Sequence, residues 1–241
     1  MKHEVYIATH KAYDFPCIEP YIPIHVGKEN SLLDLGIIGD NTGDHISHLN
    51  ASFCELTALY WMWKNSEAKI LGLVHYRRYF VNQQGELLTT NDISQLAENH
   101  IWVAKRNQFF KVKKFFGLRF SKKAISVKEH YEKDHYLADF MLLRQIIEKN
   151  SPEYIKAFDC LSNSIKGISL FNMFVMHKIW LEKYCNWMFK ILFELEKELD
   201  ISSYNSYQKR IFGFLSERLF NVFLLHHNNE IKVSEIDVVM K

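Results

Sequence analysis

"GLVHYRRYF", Gly72–Phe80, is the stretch on which the reading of this chain turns. Gly72-Leu73-Val74 begins like a buried strand, and His75-Tyr76-Arg77-Arg78-Tyr79 then adds a histidine and two fixed positive charges. Read as one extended strand, its side chains alternate. Leu73, His75, Arg77 and Tyr79 fall on one face, and Val74, Tyr76, Arg78 and Phe80 on the other. Arginines at the carboxyl end of a buried strand stand where open α/β sheets bind ligands. The planar guanidinium fork suits phosphate or carboxylate, so the stretch points to an anion site. The competing structural reading pairs one arginine with a buried acid and leaves the other in solvent.

Working outward, "EVYIATHK" alternates and predicts a first strand ending near Thr9. Residues 12–50 read as irregular, with three of the four prolines and the turn-rich "GDNTGDHIS". Such a long loop is usually functional. Ser52 and Glu55 have capping-box spacing, and Leu56, Leu59, Tyr60 and Trp63 follow at helical period, predicting a helix over 53–65. "KILGLVHY" is the next strand. Beyond it, Ser126 and Glu129 form a second capping box that opens a helix through about Glu148. "GISLFNMFVMHK" reads as a buried strand. Trp180, Tyr184, Trp187, Ile191 and Leu195 mark a core-facing helix, and "SYQKRIFGFLSERLFNVFLLHH" a last long helix interrupted by Gly213. "EIKVSEIDVVM" closes as a short strand. This is α/β grammar without repeats or an interdomain linker, so a single domain over 1–241 is expected.

Composition sets further bounds. Glycine (9) and proline (4) are too scarce for a loop-rich all-β protein. The net charge of +2 says little about partners, but its distribution says more: Lys105 to Lys128 holds nine Lys or Arg and no Asp or Glu. These alternate with Phe109, Phe110, Phe115, Phe116 and Phe120. The mixture suits an anionic lipid surface or a lipid-linked phosphate acceptor. It also suits single-stranded nucleic acid, or a surface loop whose phenylalanines reach the core. Four cysteines without a C-x-x-C pair read as reduced thiols of a cytosolic protein. The N-terminus reads as a strand rather than a leader, and no run of 18 apolar residues predicts a membrane span.

Three other groupings carry chemistry. "GDNTGDHISHLN" gathers Asp40, Asn41, Asp44, His45 and His48, able to hold a metal or a sugar hydroxyl, though Asx-turn chemistry explains the same letters. His130 with Asp134, and His135 with Asp139, stand four apart, as proton-transfer pairs, metal ligands or solvated helix pairs. Arg210, Glu217 and Asn221 share one face of the last helix, and Glu217 is a candidate general base against a plain polar stripe. Gly213 in that helix lowers its propensity by about 1 kcal/mol relative to alanine, implying that something approaches the backbone closely.

Taken in order, "ATHK", "YIPIHVG", "GDNTGDHIS", "CELTALYWMWKN", "GLVHYRRYF", "HYEKDHYLADF", "FNMFVM" and "YQKRIFGFLSERLFNV" resemble a bacterial family long labelled a domain of unknown function. Its members are associated with capsule, exopolysaccharide and O-antigen gene clusters and are regarded as glycosyltransferases, with galactofuranosyl transfer the activity connected with them. The resemblance covers nearly the whole chain except the basic segment. It implies a glycosyltransferase A-like α/β fold, a mainly parallel twisted sheet flanked by helices with a helix-rich C-terminal part. Residues 1–104 would bind a nucleotide sugar, 105–128 form a basic aromatic loop, and 129–241 supply the acceptor side. UDP-galactofuranose or UDP-galactose is the implied donor, and a lipid-linked or growing polysaccharide the acceptor. Peripheral contact with the inner membrane face is expected, and no nucleic acid.

Enzymes of that fold hold a metal on an Asp-x-Asp motif, which this sequence lacks. His75 and Arg77 take its position, implying that a fixed cation replaces the metal and that no cofactor is required, with Mn or Mg as the alternative. Carried over onto the matching motifs, Thr9, His10, Lys11, Asp40, Asn41, His75, Arg77, Arg78, Asn172, Arg210 and Arg218 are donor-binding candidates. His130, Tyr131 and Asp134 are acceptor-binding candidates. Glu217, ahead of Asp139, is the candidate base of an inverting transfer. The rival functions are a metal-dependent hydrolase on the His/Asp groups and a nucleic-acid-binding protein using the basic segment.

Overall fold

The computed structural model, which describes residues 2–115 and 118–241, bends the decisive stretch back on itself. Strand β4 (Ile70–His75) ends at the histidine, Tyr76 and Arg77 make a tight turn, and β5 (Arg78–Val81) returns antiparallel with His75 opposite Arg78. The expected single strand is therefore corrected, and with it the division of the two arginines between faces. Arg77 is an exposed corner and Arg78 opens the next strand. Three hydrogen bonds fix the corner: Tyr76 N–H to the Ala8 carbonyl (3.2 Å), Lys241 N–H to that of Arg77 (3.3 Å), and the Tyr79 hydroxyl to that of Tyr76 (3.0 Å). A continued strand would have drawn both guanidiniums along the sheet into low dielectric; a turn leaves them at its open end.

Around this hairpin lie β1 (His3–Thr9), β2 (Tyr21–His25), β3 (Ile38–Gly39), β6 (His100–Ala104), β9 (Phe174–His177) and β10 (Lys232–Met240). Their order is β3-β2-β1-β4-β5-β10-β6-β9, and β9 pairs back onto β4. Five strands, β4, β5, β10, β6 and β9, thus close a ring, with the parallel strands β1, β2 and β3 extending from β4. Within the ring only β10–β6 is parallel; β4–β5, β5–β10, β6–β9 and β4–β9 are antiparallel. The sheet is mixed, a correction to the mainly parallel expectation that follows from the reversal at Arg77. β4 is the crowded junction: a Cβ on Gly72 would lie 3.0 Å from Val5 Cγ2 and 3.1 Å from the Phe174 carbonyl. A separate hairpin, β7 (Phe110–Phe115) and β8 (Leu118–Ala124), pairs only with itself.

Residues 12–50 are less irregular than expected, since β2 and β3 come from them; Pro23 sits within β2. The first capping box does not form. Ser52 Oγ donates to the Leu49 carbonyl, and Cys54, at φ 53°, separates α1 (Asn50–Phe53) from α2 (Leu56–Asn65). After α3 (Thr90–Ser94), the second box forms as read, with Ser126 and Glu129 capping α4 (Val127–Asp134). The helix does not run on to Glu148: His135 and Tyr136 adopt extended angles, and α5 (Leu137–Asn150) starts afresh. His135 and Asp139 therefore do not share a helix.

α6 (Ile155–Asn163), α7 (Lys178–Glu198) and α8 (Ile211–His226) complete the helical layer. All five periodic residues of α7 are buried, as their spacing requires. One core cluster joins the helices to Leu71, Leu73, Phe174 and Met176 of the sheet; a second gathers Val5, Ile7, Val74, Tyr79, Phe80 and Val175 on the opposite side. Gly213 of α8 packs on α1: a Cβ there would come within 3.2 Å of Cys54 Sγ. The close approach inferred from that glycine is helix to helix.

Candidate functional site

The carboxyl ends of β1 and β4, the start of α2 and the start of α8 face one cleft of about 770 Å³. His10 reaches it from the end of β1, and His75, Tyr76, Arg77 and Arg78 from the β4–β5 corner. Asn50, Cys54 and Glu55 come from the α1–α2 junction; Arg210, Phe214, Glu217 and Arg218 from α8 and the turn before it; His130, Asp134 and His135 from α4. A second cleft, about 860 Å³, is lined by Asn221 but by none of the donor-binding, acceptor-binding or catalytic candidates.

The floor is the segment Leu170–Asn172. Phe171 and Asn172 are not glycines, yet both have positive φ, 72° and 50°. Two such residues in succession store strain of roughly 1–3 kcal/mol each and persist only when the surroundings over-determine them. Here they do. Glu217 Oε1 accepts from the Phe171 N–H at 2.6 Å, and His75 Nε2–H donates to the Phe171 carbonyl at 2.6 Å. Asn172 donates through Nδ2 to Glu55 Oε1 at 2.7 Å and to Ser216 Oγ at 2.9 Å. Asn221 bonds both backbone groups of Ser169, just upstream. The floor is thus clamped by the polar residues that line the cleft, while Asn172 itself is buried beneath it.

The inner wall is ionic. Arg218 is 2% exposed, and Nη1 donates to Glu217 Oε2 and to the Phe214 carbonyl, each at 2.8 Å. Its Nη2 lies 3.3 Å from His130 Nδ1. Burial pushes the Glu217 carboxyl above its ordinary value, against the pull of Arg218 and the Phe171 N–H. The same burial, reinforced by the Arg218 charge, pushes His130 down to about 4, so its imidazole is neutral at physiological pH. His130 stacks on Phe109 at 3.5 Å, and Asp134 stands 3.6 Å from its Nε2.

The opposite rim is cationic. Arg77 lies over the Tyr76 ring (5.0 Å), Arg78 over Phe171 (4.2 Å) and Arg210 over Phe214 (5.5 Å), with Arg210 Nε donating to Cys54 Sγ at 3.3 Å. Among the described residues none of the three has a carboxylate within salt-bridge distance. His10 is lowered by burial and then by Lys11, Arg210 and Arg77, showing how closely these cations converge. Cys54 is no thiolate: burial pushes it up to about 11.

The cleft thus brings together ten of the sequence-predicted residues or their direct supports: His10, His75, Arg77, Arg78, Arg210, Glu217, Arg218, His130, Asp134 and, under the floor, Asn172. Others stand elsewhere. Thr9 turns its hydroxyl to the Lys11 carbonyl, and Lys11 lies over Tyr76 at the rim. Asp40 is wholly buried and accepts from the Gly27 and Lys28 N–H groups and from Ser47, stapling the long loop; Asn41 follows it outside the cleft. Tyr131 is core, and Asp139 is buried against the Tyr204 hydroxyl (2.8 Å), its carboxyl raised by burial. Glu29, His45 and His48 place candidate ligand atoms within 4.8 Å of one another, away from the cleft lining.

Glu55 is the residue that sequence reasoning misplaced, as a helix cap. Its signal was the unbroken "CELTALYWMWKN": with Cys54 at positive φ, Glu55 precedes the helix and faces the cleft.

Fold and cleft together define an α/β protein whose strand-end arginines, without carboxylate partners among the described residues, share a cleft with two carboxylates, an arrangement able to hold an anion beside acid–base groups. The chain belongs to the family described as Domain of unknown function (DUF4422), which it matches over residues 4–229. Over its whole length it is similar to the solved apo structure of WbbM, a bifunctional glycosyltransferase, at 29% identity and a TM-score of 0.85. It spans 45% of that longer chain. No curated protein matches it. Among the described residues no helix is long and apolar enough to cross a membrane.

Proposed function

We propose that this chain is a glycosyltransferase whose cleft takes a UDP-sugar, galactofuranose or galactose, and passes the sugar to a polysaccharide acceptor with inversion. The observation that carries this reading is the trio Arg77, Arg78 and Arg210, three cleft arginines without carboxylate partners among the described residues, facing Glu55 and Glu217. The similarity to a glycosyltransferase structure supports it.

In the proposed reaction the acceptor hydroxyl oxygen attacks the anomeric carbon as the bond from that carbon to the diphosphate oxygen breaks. The bonding pair leaves with the diphosphate, and the hydroxyl proton passes to Glu217. The arginines neutralise the growing charge on the leaving group, the task a divalent metal performs elsewhere. A carboxyl raised by burial suits a base working near neutrality, and such a base contributes about 10²–10⁴-fold. Glu55, held by Asn172, is the second carboxylate at the same reacting centre.

Thermal shift against UDP, GDP and CMP, with EDTA and with manganese, tests the donor. A UDP shift that survives EDTA supports the reading; silence to every nucleotide would sink it, and a shift only with manganese would return the metal. Turnover of Glu217→Gln and Glu55→Gln then assigns the base: the true one loses about 10²-fold or more in kcat with KM little changed.

A further inference from the structure

Glu29, His45 and His48 stand on or beside two short 3₁₀ turns, Lys28–Asn30 and Ser47–Leu49, at the two ends of a long loop. One buried carboxylate fixes both turns from beneath. Asp40 accepts from the Gly27 N–H at 2.8 Å, from the Lys28 N–H at 3.1 Å and from the Ser47 hydroxyl. Ser47 Oγ accepts in turn from the Glu29 N–H at 3.1 Å, and Asn30 Nδ2 donates to the His48 carbonyl, also at 3.1 Å. The backbone under all three side chains is therefore held in place before anything binds, as a ligand set requires.

The side chains above it bring electron pairs together. The Ser47 N–H points at His45 Nδ1 from 3.4 Å, which makes that nitrogen an acceptor, and Glu29 Oε2 lies 3.4 Å from the same atom. A ring lone pair facing a carboxylate oxygen repels it unless a proton or a cation lies between them. The spacing separates the two cases. A charge-assisted N–H···O bond closes to about 2.7–2.9 Å. Nitrogen and oxygen bound to a tetrahedral zinc, at about 2.05 and 2.1 Å from it, stand about 3.4 Å apart; on a small octahedral ion they stand about 2.9 Å apart. The observed gap is the tetrahedral one. His48 brings a third ligand atom within 4.8 Å of both, and its exposed side chain can close the remainder by rotation.

The local field suits a cation. Lys28, the nearest fixed positive charge in sequence, turns its ammonium away to the Leu33 carbonyl at 2.6 Å. Glu196 of α7 faces the same corner, its carboxyl raised by burial and drawn back by His48. Two imidazoles and one carboxylate select zinc and its neighbours over magnesium, calcium or manganese, which take oxygen ligands.

We propose that Glu29, His45 and His48 bind one zinc-class divalent ion in tetrahedral geometry, with water in the fourth position, and that the ion clips the ends of the long loop together. Closing a long loop is where such a clip has most to contribute. It stands behind the cleft wall: Val26 and Asn50, which line the cleft, flank the two turns, and a Cβ on Gly27 would come within 2.6 Å of Asn50 Oδ1. None of the three ligands lines the cleft, so the ion is structural and stands or falls apart from the transferase reading.

The test strips the full chain with EDTA, removes the chelator, titrates cobalt(II) and then displaces it with zinc. One equivalent is expected, with the strong visible bands of tetrahedral cobalt. Zinc at 100-fold above its Kd should raise the melting temperature by about 5–11 °C, and manganese without nucleotide should not. Glu29→Gln, His45→Gln and His48→Gln should each weaken binding by more than the about 10–100-fold that loss of a supporting residue costs. In EDTA each variant should melt within a few degrees of wild type, because the side chains are exposed or half-buried. A wild-type chain that takes up no cobalt would return His45 and Glu29 to an ordinary surface ion pair and overturn the proposal. So would the weak bands of an octahedral ion, or variants that bind like wild type.

Discussion

Replacing Arg218 with methionine probes how the inner wall of the cleft is held. The side chain is buried and turns Nη1 to the Glu217 carboxylate and the Phe214 carbonyl and Nη2 to His130 Nδ1. Methionine fills much of the same space but donates nothing, leaving Glu217 with only the Phe171 N–H. Removing one partner of a buried ion pair costs about 3–5 kcal/mol. For a chain of this size each kcal/mol moves the melting temperature by about 2–4 °C, so a fall of roughly 6–20 °C is expected near neutral pH.

The pH dependence of that deficit is the sharper readout. The Glu217 carboxyl is already raised in the folded protein, so its burial penalty is absent in acid and grows as pH rises through the folded value. Arg218 opposes the rise; without it the penalty at neutral pH is larger. His130 acts in the same direction, because loss of the neighbouring cation lets it take up its proton more readily. Differential scanning fluorimetry at about pH 5 and about pH 8 should therefore show a smaller deficit in acid than in base. Adding Glu217→Gln to Arg218→Met should restore at least about 1 kcal/mol, since a neutral amide needs no cation. A deficit equal at both pH values, with no gain from the second substitution, would refute the ionic account and leave packing as the cause.

Three other outcomes follow from the same geometry. His130, neutral because it is pushed to about 4 against an ordinary 6.5, makes the protein lose stability as pH falls through that window; His130→Phe should flatten the loss, which amounts to at most roughly 3 kcal/mol, in acid-denaturation curves. Gly213→Ala should destabilise by about 1 kcal/mol because its Cβ meets Cys54, yet stabilise by a similar amount in a Cys54→Gly background, where the obstruction and the positive-φ strain both go; a double-mutant cycle with no coupling would disprove the contact. Asp40→Ala should cost about 3 kcal/mol in urea unfolding, with kcat at low temperature unaltered, because it staples the loop from outside the cleft.

Periodicity carried most of the architecture. β1, β4, α7, α8, β10 and the Ser126 cap were legible because a single local pattern, alternation, helical spacing or a cap, decides each of them. The reversal at Tyr76–Arg77 was not, because nothing local distinguishes an exposed turn without glycine from a continuing strand; contacts from Ala8 and Lys241, far away in sequence, decide it. The break at His135–Tyr136 and the positive φ of Cys54 are likewise tertiary. Of the candidate site, the arginine-rich corner and the Arg210–Glu217 face were readable from type and spacing, whereas Asn221, read on that same face, turns to the backbone of Ser169. Glu55 was hidden by a capping pattern that its neighbour's backbone disallows. Asp40 was misleading for the opposite reason, since loop staples and ligand sites draw on the same residues.

The closed ring has a consequence for how the chain must come to its fold. β5 and β6 are joined only through β10, so the ribosome has to deliver everything between Val81 and Lys232 before the ring can close. At ordinary synthesis rates that interval is on the order of ten seconds, during which two strand edges stand open to neighbouring chains. The Lys241 N–H, just beyond β10, is one of the three hydrogen bonds that fix the arginine corner, so the full set forms only once β10 has joined the ring.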